Sequence, residues 1–171
     1  VAAELASRAE GFDVAVNNVS AETSLVAVQD PAAEAILLDL VPADQAEAVT
    51  GMKYYAAATV GLRTGERTLD LLVARTGYTG EDGFEIYVPN DDAAALWSAL
   101  LAAGEGRGLI PAGLACRDSL RLEAGMPLYG NELTLDTDPY AAGLGPVVAL
   151  SKEGDFVGRA ALEARKAAGP A

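Results

Sequence analysis

The sequence contains no histidine and only one cysteine, Cys116. Without histidine, a Ser-His-Asp triad, a Cys-His pair and a zinc site built on imidazole are impossible within the chain. A single cysteine also rules out a thiolate cluster and an internal disulfide, which is compatible with a reducing, cytoplasmic setting. Basic residues are scarce: 12 Lys and Arg face 25 Asp and Glu, for a formal net charge of -13. Nonspecific nucleic-acid binding needs basic surface to neutralise phosphates, so that class is excluded, and anionic membrane surfaces are poor partners for the same reason. Long apolar runs are missing too, since charges or glycines interrupt them well before the roughly 20 residues of a membrane span.

What remains is a chain of 171 residues, 51% hydrophobic and 22% charged, a composition that suits a globular core rather than disorder. It opens at Val1 with no basic n-region, apolar segment or cleavage site. The expectation is an excised piece of a longer protein. The Asn18-Val19-Ser20 sequon reads as accidental.

Residues Val1 to Glu10 read as the end of a helix stopped by Gly11. Alternation at Phe12, Val14 and Val16, followed after a turn by Leu25, Val26 and Val28, predicts a hairpin. Asp30-Pro31 supplies an N-cap and a proline at the first helical position, predicting a helix to about Leu40, with Pro42 marking the break. Two strands, Tyr54 to Leu62 and Arg67 to Arg75, flank the turn Thr64-Gly65, and Gly77 to Gly83 leads into a short strand from Phe84 to Val88.

Asn90, followed by Asp91 and Asp92, predicts the cap of a helix to about Ala103. Its Leu96, Trp97, Leu100 and Leu101 form a core-facing stripe at helical spacing. The glycines of Gly104 to Gly108 follow a helix, so they are not a dinucleotide fingerprint. A further helix covers Ala112 to Ala124 and stops at Gly125. Residues Met126 to Pro146 read as irregular, Val147 to Leu150 as a strand, Asp155 to Ala168 as a helix, and Gly169-Pro170 as the start of a linker. Strand pairs mixed with single helices predict an α+β fold, a mostly antiparallel sheet with packed helices.

The residues that could carry chemistry are few. Strand alternation puts Phe84, Ile86 and Val88 on one face and Glu85 and Tyr87 on the other. Glu85 is then either a solvated carboxylate on an open sheet face or a cavity-lining group able to accept two parallel hydrogen bonds. On the helix from Ala112, Arg117 shares a side with Gly113, Leu120 and Ala124, beside Arg121. A guanidinium among small apolar groups needs a partner, either a scaffold carboxylate or a ligand, and Glu85 is one candidate. Glu81-Asp82 reads as a polar turn rather than half a metal site. Cys116, with no histidine to activate it, reads as a small packed residue.

Residues 75 to 89, RTGYTGEDGFEIYVP, and 112 to 133, AGLACRDSLRLEAGMPLYGNEL, closely resemble the signature segments of the glycine-cleavage T-protein family. TSLVAVQDPAAEAIL at 23 to 37 and DFVGRAAL at 155 to 162 are similar to further family segments in the same order. The resemblance implies a folate-binding T-protein-like module over 1 to 171, from an aminomethyltransferase. That enzyme takes the aminomethyl group from the lipoyl arm of H-protein, releases ammonia and passes the one-carbon unit to tetrahydrofolate, with no metal. It implies Glu85 and Arg117 as folate contacts, and a cytoplasmic protein with no nucleic-acid or membrane partner.

The resemblance also implies what is missing. The family's catalytic aspartate lies before Val1 and its C-terminal β-domain after Ala171, so no catalytic residue is carried over and the chain alone is expected to be inactive. Two alternatives share parts of the pattern. One is the folate-binding portion of a dimethylglycine or sarcosine oxidising enzyme. The other is a non-enzymatic folate module in iron-sulfur or tRNA maintenance, whose KGCYxGQE-like motif is replaced here by Gly125-Met126-Pro127-Leu128-Tyr129-Gly130-Asn131-Glu132.

Overall fold

The computed structural model describes residues 1–169; Pro170, part of the expected linker, lies outside them. Two compact units divide the chain, Val1–Leu120 and Arg121–Ala171.

The first unit is built on a four-stranded antiparallel sheet of strands β1 (Thr23–Gln29), β2 (Ala57–Thr64), β3 (Arg67–Ala74) and β4 (Gly83–Pro89), ordered β1-β4-β3-β2. The α+β expectation holds. Strands β2 and β3 pair as a hairpin with Thr64 opposite Arg67. The two-residue loop between them has positive φ at Gly65 (+69°), not at Glu66, a conformation that suits glycine at the first turn position. Period-two alternation then sorts the sheet faces. Phe84, Ile86 and Val88 are fully buried and meet Val60, Leu62, Leu71 and Val73 in one core, while Leu25, Leu72 and Tyr87 stand exposed on the reverse face.

Helices α2 (Ala33–Leu38), α3 (Ala46–Thr50) and α4 (Ala93–Gly104) contribute Ile36, Leu37, Val49, Leu96 and Leu100 to that core. Each such side chain taken out of water contributes about 1.5–3 kcal/mol. Helix α1 (Ala2–Arg8) has no buried residue, and α5 (Leu114–Glu123) begins after the irregular stretch behind Gly108.

Several local expectations fail for identifiable reasons. Phe12, Val14 and Val16 form no strand and are exposed at 72%, 62% and 42%; β1 takes its partner from β4, which is 60 residues away by their first residues. Alternation alone does not create a strand without a ladder to join. At Asp30 the backbone is left-handed (φ 84°) and the Ala33 amide donates to its carbonyl, so a turn precedes the helix and no side chain caps α2. Asn90 opens a 3-10 turn and uses its amide elsewhere: Nδ2 donates to the Ala21 carbonyl, and Oδ1 accepts from the Ser24 hydroxyl.

In the second unit, Met126 to Pro146 is irregular as expected. Residues Gly145–Val147 form a 3-10 turn rather than the start of a strand. Helix α6 (Arg159–Ala168) starts four residues later than Asp155, behind Gly158 at φ 93°. Arg159 donates to the carbonyls of Leu150, Lys152 and Gly154 at 2.8, 2.6 and 2.9 Å and lies over the Phe156 ring. The arginine of the DFVGRAAL segment therefore clamps the turn before its own helix.

Candidate functional site

Strand β4 places Glu85 on the sheet face away from the core, with Ala27 and Ala74 as its cross-strand neighbours. Two methyl-sized neighbours leave the half-buried carboxylate room on either side. Its Oε2 accepts a 2.5 Å hydrogen bond from the Thr76 hydroxyl, and a carboxylate has further lone pairs available beyond that one.

The loop after β3 that carries Thr76 is tied down at its base. Arg75 forks onto Asp82, Nε to Oδ1 at 2.9 Å and Nη2 to Oδ2 at 2.6 Å, and reaches Glu34 at 2.8 Å. It also donates to the Met52 carbonyl and lies over the Phe84 ring. The fork onto Asp82 holds the Arg75 guanidinium more firmly protonated than usual, and that guanidinium keeps the Asp82 carboxyl below the ordinary carboxylate range despite partial burial. Asp82 is thus a structural anchor. Among the described residues no group of three or more His, Cys, Asp or Glu is arranged to hold a metal ion.

Between β1, the 76–79 loop, α4 and the start of α5 lies a cleft of about 670 Å³. Glu85, Tyr78, Trp97, Leu101, Cys116 and Arg117 are among the residues that line it. The cleft is mostly apolar with a few polar groups at defined places, which is the usual constitution of a small-molecule site. A second depression of about 720 Å³ at the end of the sheet is lined by Glu22, Asp70 and Asp91 and by no cation. It offers nothing to orient an anionic ligand.

The cleft corrects three expectations. Trp97 leaves the buried stripe: Leu96 and Leu100 are buried, but Trp97 is 43% exposed and faces the cleft. It sits one helical step from Leu96, at the border where helical periodicity does not distinguish core from cleft. Cys116 is exposed rather than packed. Arg117 is exposed as well and forms no hydrogen bond or ion pair with Glu85; its guanidinium lies 5.1 Å from the centre of the Tyr78 ring. The buried arginine of α5 is Arg121, 1% exposed, which donates to Glu132 at 2.8 Å and to the Met126 carbonyl at 3.1 Å. Glu132 also accepts from the Leu128 amide, and these bonds hold its carboxyl below its ordinary value.

Sequence reasoning singled out Glu85 and Arg117, and both line this cleft. It missed Tyr78 and Thr76, which bridge them to the scaffold, and Gln29, which packs beneath the loop. Their partners are 47 and 55 residues away in the case of Gln29, beyond what local pattern carries.

Comparison with known proteins bears on the family and the fold. The family model described as the GCVT N-terminal domain matches residues 1–152. An aminomethyltransferase of Streptomyces coelicolor is 55% identical over 158 residues, 92% of this chain and 40% of its own length. One from Cutibacterium acnes is 54% identical over 167 residues, 95% of this chain and 44% of its own. The crystal structure of glycine cleavage system aminomethyltransferase T from Bartonella henselae matches with a TM-score of 0.74 at 38% identity, over 99% of this chain and 43% of that one. The chain therefore spans less than half the length of the relatives it matches. With the sheet, the cleft and both signature segments in place, the chain belongs to the GCVT N-terminal domain family.

Proposed function

We propose that the chain is the folate-binding part of an aminomethyltransferase of the glycine cleavage system. The observation that carries this reading is the Glu85 carboxylate at the cleft, held by one hydrogen bond from Thr76 with lone pairs to spare. A pterin presents a ring N–H beside an exocyclic amino group, and one carboxylate accepts that donor pair bidentately. The aromatic and aliphatic wall of Tyr78, Trp97 and Leu101 suits the flat remainder of a folate. Arg117, exposed in the cleft and stacked on Tyr78, is placed to meet a carbonyl or carboxylate of the ligand.

In the whole enzyme, lipoylated H-protein delivers an aminomethyl group. Ammonia leaves, the carbon comes to bridge two tetrahydrofolate nitrogens, and the dihydrolipoyl thiol is released, the protons of the two nitrogens going to the departing amine and thiolate. The contribution of Glu85 and Arg117 is orientation: a held acceptor beside the donor carbon converts a bimolecular step into a nearly unimolecular one, worth several kcal/mol of barrier. The chain spans less than half the length of its aminomethyltransferase relatives, so the transfer reaction is assigned to the longer protein. A cytoplasmic setting suits this chemistry, and no helix among the described residues is long and apolar enough to cross a membrane. The oxidase-linked and iron-sulfur alternatives gain no support from relatives named aminomethyltransferase.

The test uses the whole protein with lipoylated H-protein carrying the aminomethyl group. Ammonia and methylenetetrahydrofolate are expected in equal amounts, and Glu85→Ala is expected to raise the KM for tetrahydrofolate far more than that for H-protein. Unchanged folate kinetics in the variant would overturn the assignment of Glu85.

A further inference from the structure

The segment TGYTGEDGF contains Gly77 and Gly83, and neither has the positive φ that would require glycine. What requires it is Gln29. A Cβ at Gly77 would stand 1.8 Å from Gln29 Oε1, and one at Gly83 would stand 2.5 Å from the same atom. These distances are far inside van der Waals contact. The carboxamide is not free to swing away, because its Nε2 donates to the Thr76 and Phe84 carbonyls, both at 3.2 Å.

Those two carbonyls bracket the site. Thr76 is the residue whose hydroxyl holds Glu85, and Phe84 is the residue before Glu85 in β4. Gln29, at the end of β1, therefore joins the loop and the strand that together set the Glu85 carboxylate. Two carbonyl acceptors also fix which way the amide faces, since only its NH2 end can donate to both.

Resting on the folate reading above, we infer that Gln29 is a positioning residue: wedged between Gly77 and Gly83, its carboxamide locks Thr76 and so aims the Glu85 carboxylate at a ligand's paired N–H donors. The role is specificity rather than bulk affinity. A carboxylate aimed correctly rewards a ligand with both donors, whereas a loosened one treats a ligand with one donor nearly as well.

The experiment compares two ligands by calorimetry on the chain: folinic acid, a stable reduced folate, and its analogue with hydrogen in place of the exocyclic amino group. The variants are Gln29→Leu, Gly77→Ala and Glu85→Ala, each first checked for a cooperative thermal transition. Wild type is expected to prefer folinic acid by on the order of tenfold, the value of one hydrogen bond to a charged group. Glu85→Ala is expected to abolish that preference, and both Gln29→Leu and Gly77→Ala to remove most of it while leaving affinity for the analogue near wild type. Gly77→Ala displaces the carboxamide without substituting Gln29, so it carries the comparison if Gln29→Leu does not fold. A preference kept intact in both variants, or an equal loss of affinity for both ligands, would overturn the positioning role alone. Failure of the folded wild type to bind either ligand would overturn the folate reading and this inference together.

Discussion

Arg75 and Asp82 meet through two parallel hydrogen bonds across the base of the loop that carries Tyr78 and Thr76. The arginine side chain is 17% exposed and the aspartate 39%, so water screens one side of the pair. Arg75→Met is expected to cost about 2 kcal/mol, less than a fully buried pair because of that screening. Urea denaturation measures it, and a cost near zero would show that the loop does not depend on the fork.

The same pair makes stability depend on pH in a definite direction. Arg75 lowers the Asp82 pKa, so the stabilisation is fully present above the ordinary aspartate value of about 3.9 and is lost as pH falls through the lowered folded value. The difference in Tm between wild type and Asp82→Asn is expected to be constant from neutral pH to mild acid and to shrink below it. A difference that grows on acidification would contradict the assignment.

Arg121 and Glu132 anchor the second unit. Arg121 is almost fully buried while the Glu132 side chain is 43% exposed, and Glu132 also accepts from the Leu128 amide. Glu132→Ala removes the acceptor for both Arg121 and the Leu128 amide and is expected to destabilise the second unit. Glu132→Gln, which keeps an acceptor for the amide, is expected to recover part of the loss in the same denaturation experiment.

Trp97 is the chain's single tryptophan, and its exposure at the cleft separates it from the buried Leu96 beside it. Leu96→Ala is expected to cost about 2–5 kcal/mol as a core truncation, whereas Trp97→Ala costs clearly less. A folate in the cleft is expected to change Trp97 emission saturably. Emission unmoved by a ligand that calorimetry shows to bind would place that ligand elsewhere.

The parts legible in the sequence are those fixed by neighbours along the chain. Alternation in Phe84-Glu85-Ile86-Tyr87-Val88 orients β4 and turns Glu85 away from the core, and Gly65 marks the β2–β3 turn. The parts that failed depend on distant partners. Phe12 to Val16 alternates as well as β1 does, yet only β1 has a ladder to join. Asn90 has the chemistry of a helix cap but bonds to Ser24 and Ala21 instead. Helical spacing assigned the buried guanidinium to the face of Arg117, whereas the acceptor that makes burial tolerable, Glu132, belongs to Arg121. The glycines of the loop look like conformational punctuation, and only the packed Gln29 side chain shows why Gly77 and Gly83 are there.

The account stands on Glu85 reading a pterin from within this chain. Calorimetric titration with tetrahydrofolate under reducing conditions, for wild type and Glu85→Ala side by side, measures that directly. Saturable binding that the variant weakens by roughly 1.5–3 kcal/mol, the range for hydrogen bonds to a charged group, is the expected result. Equal affinity in the two proteins, or no binding by the folded wild type, would contradict it.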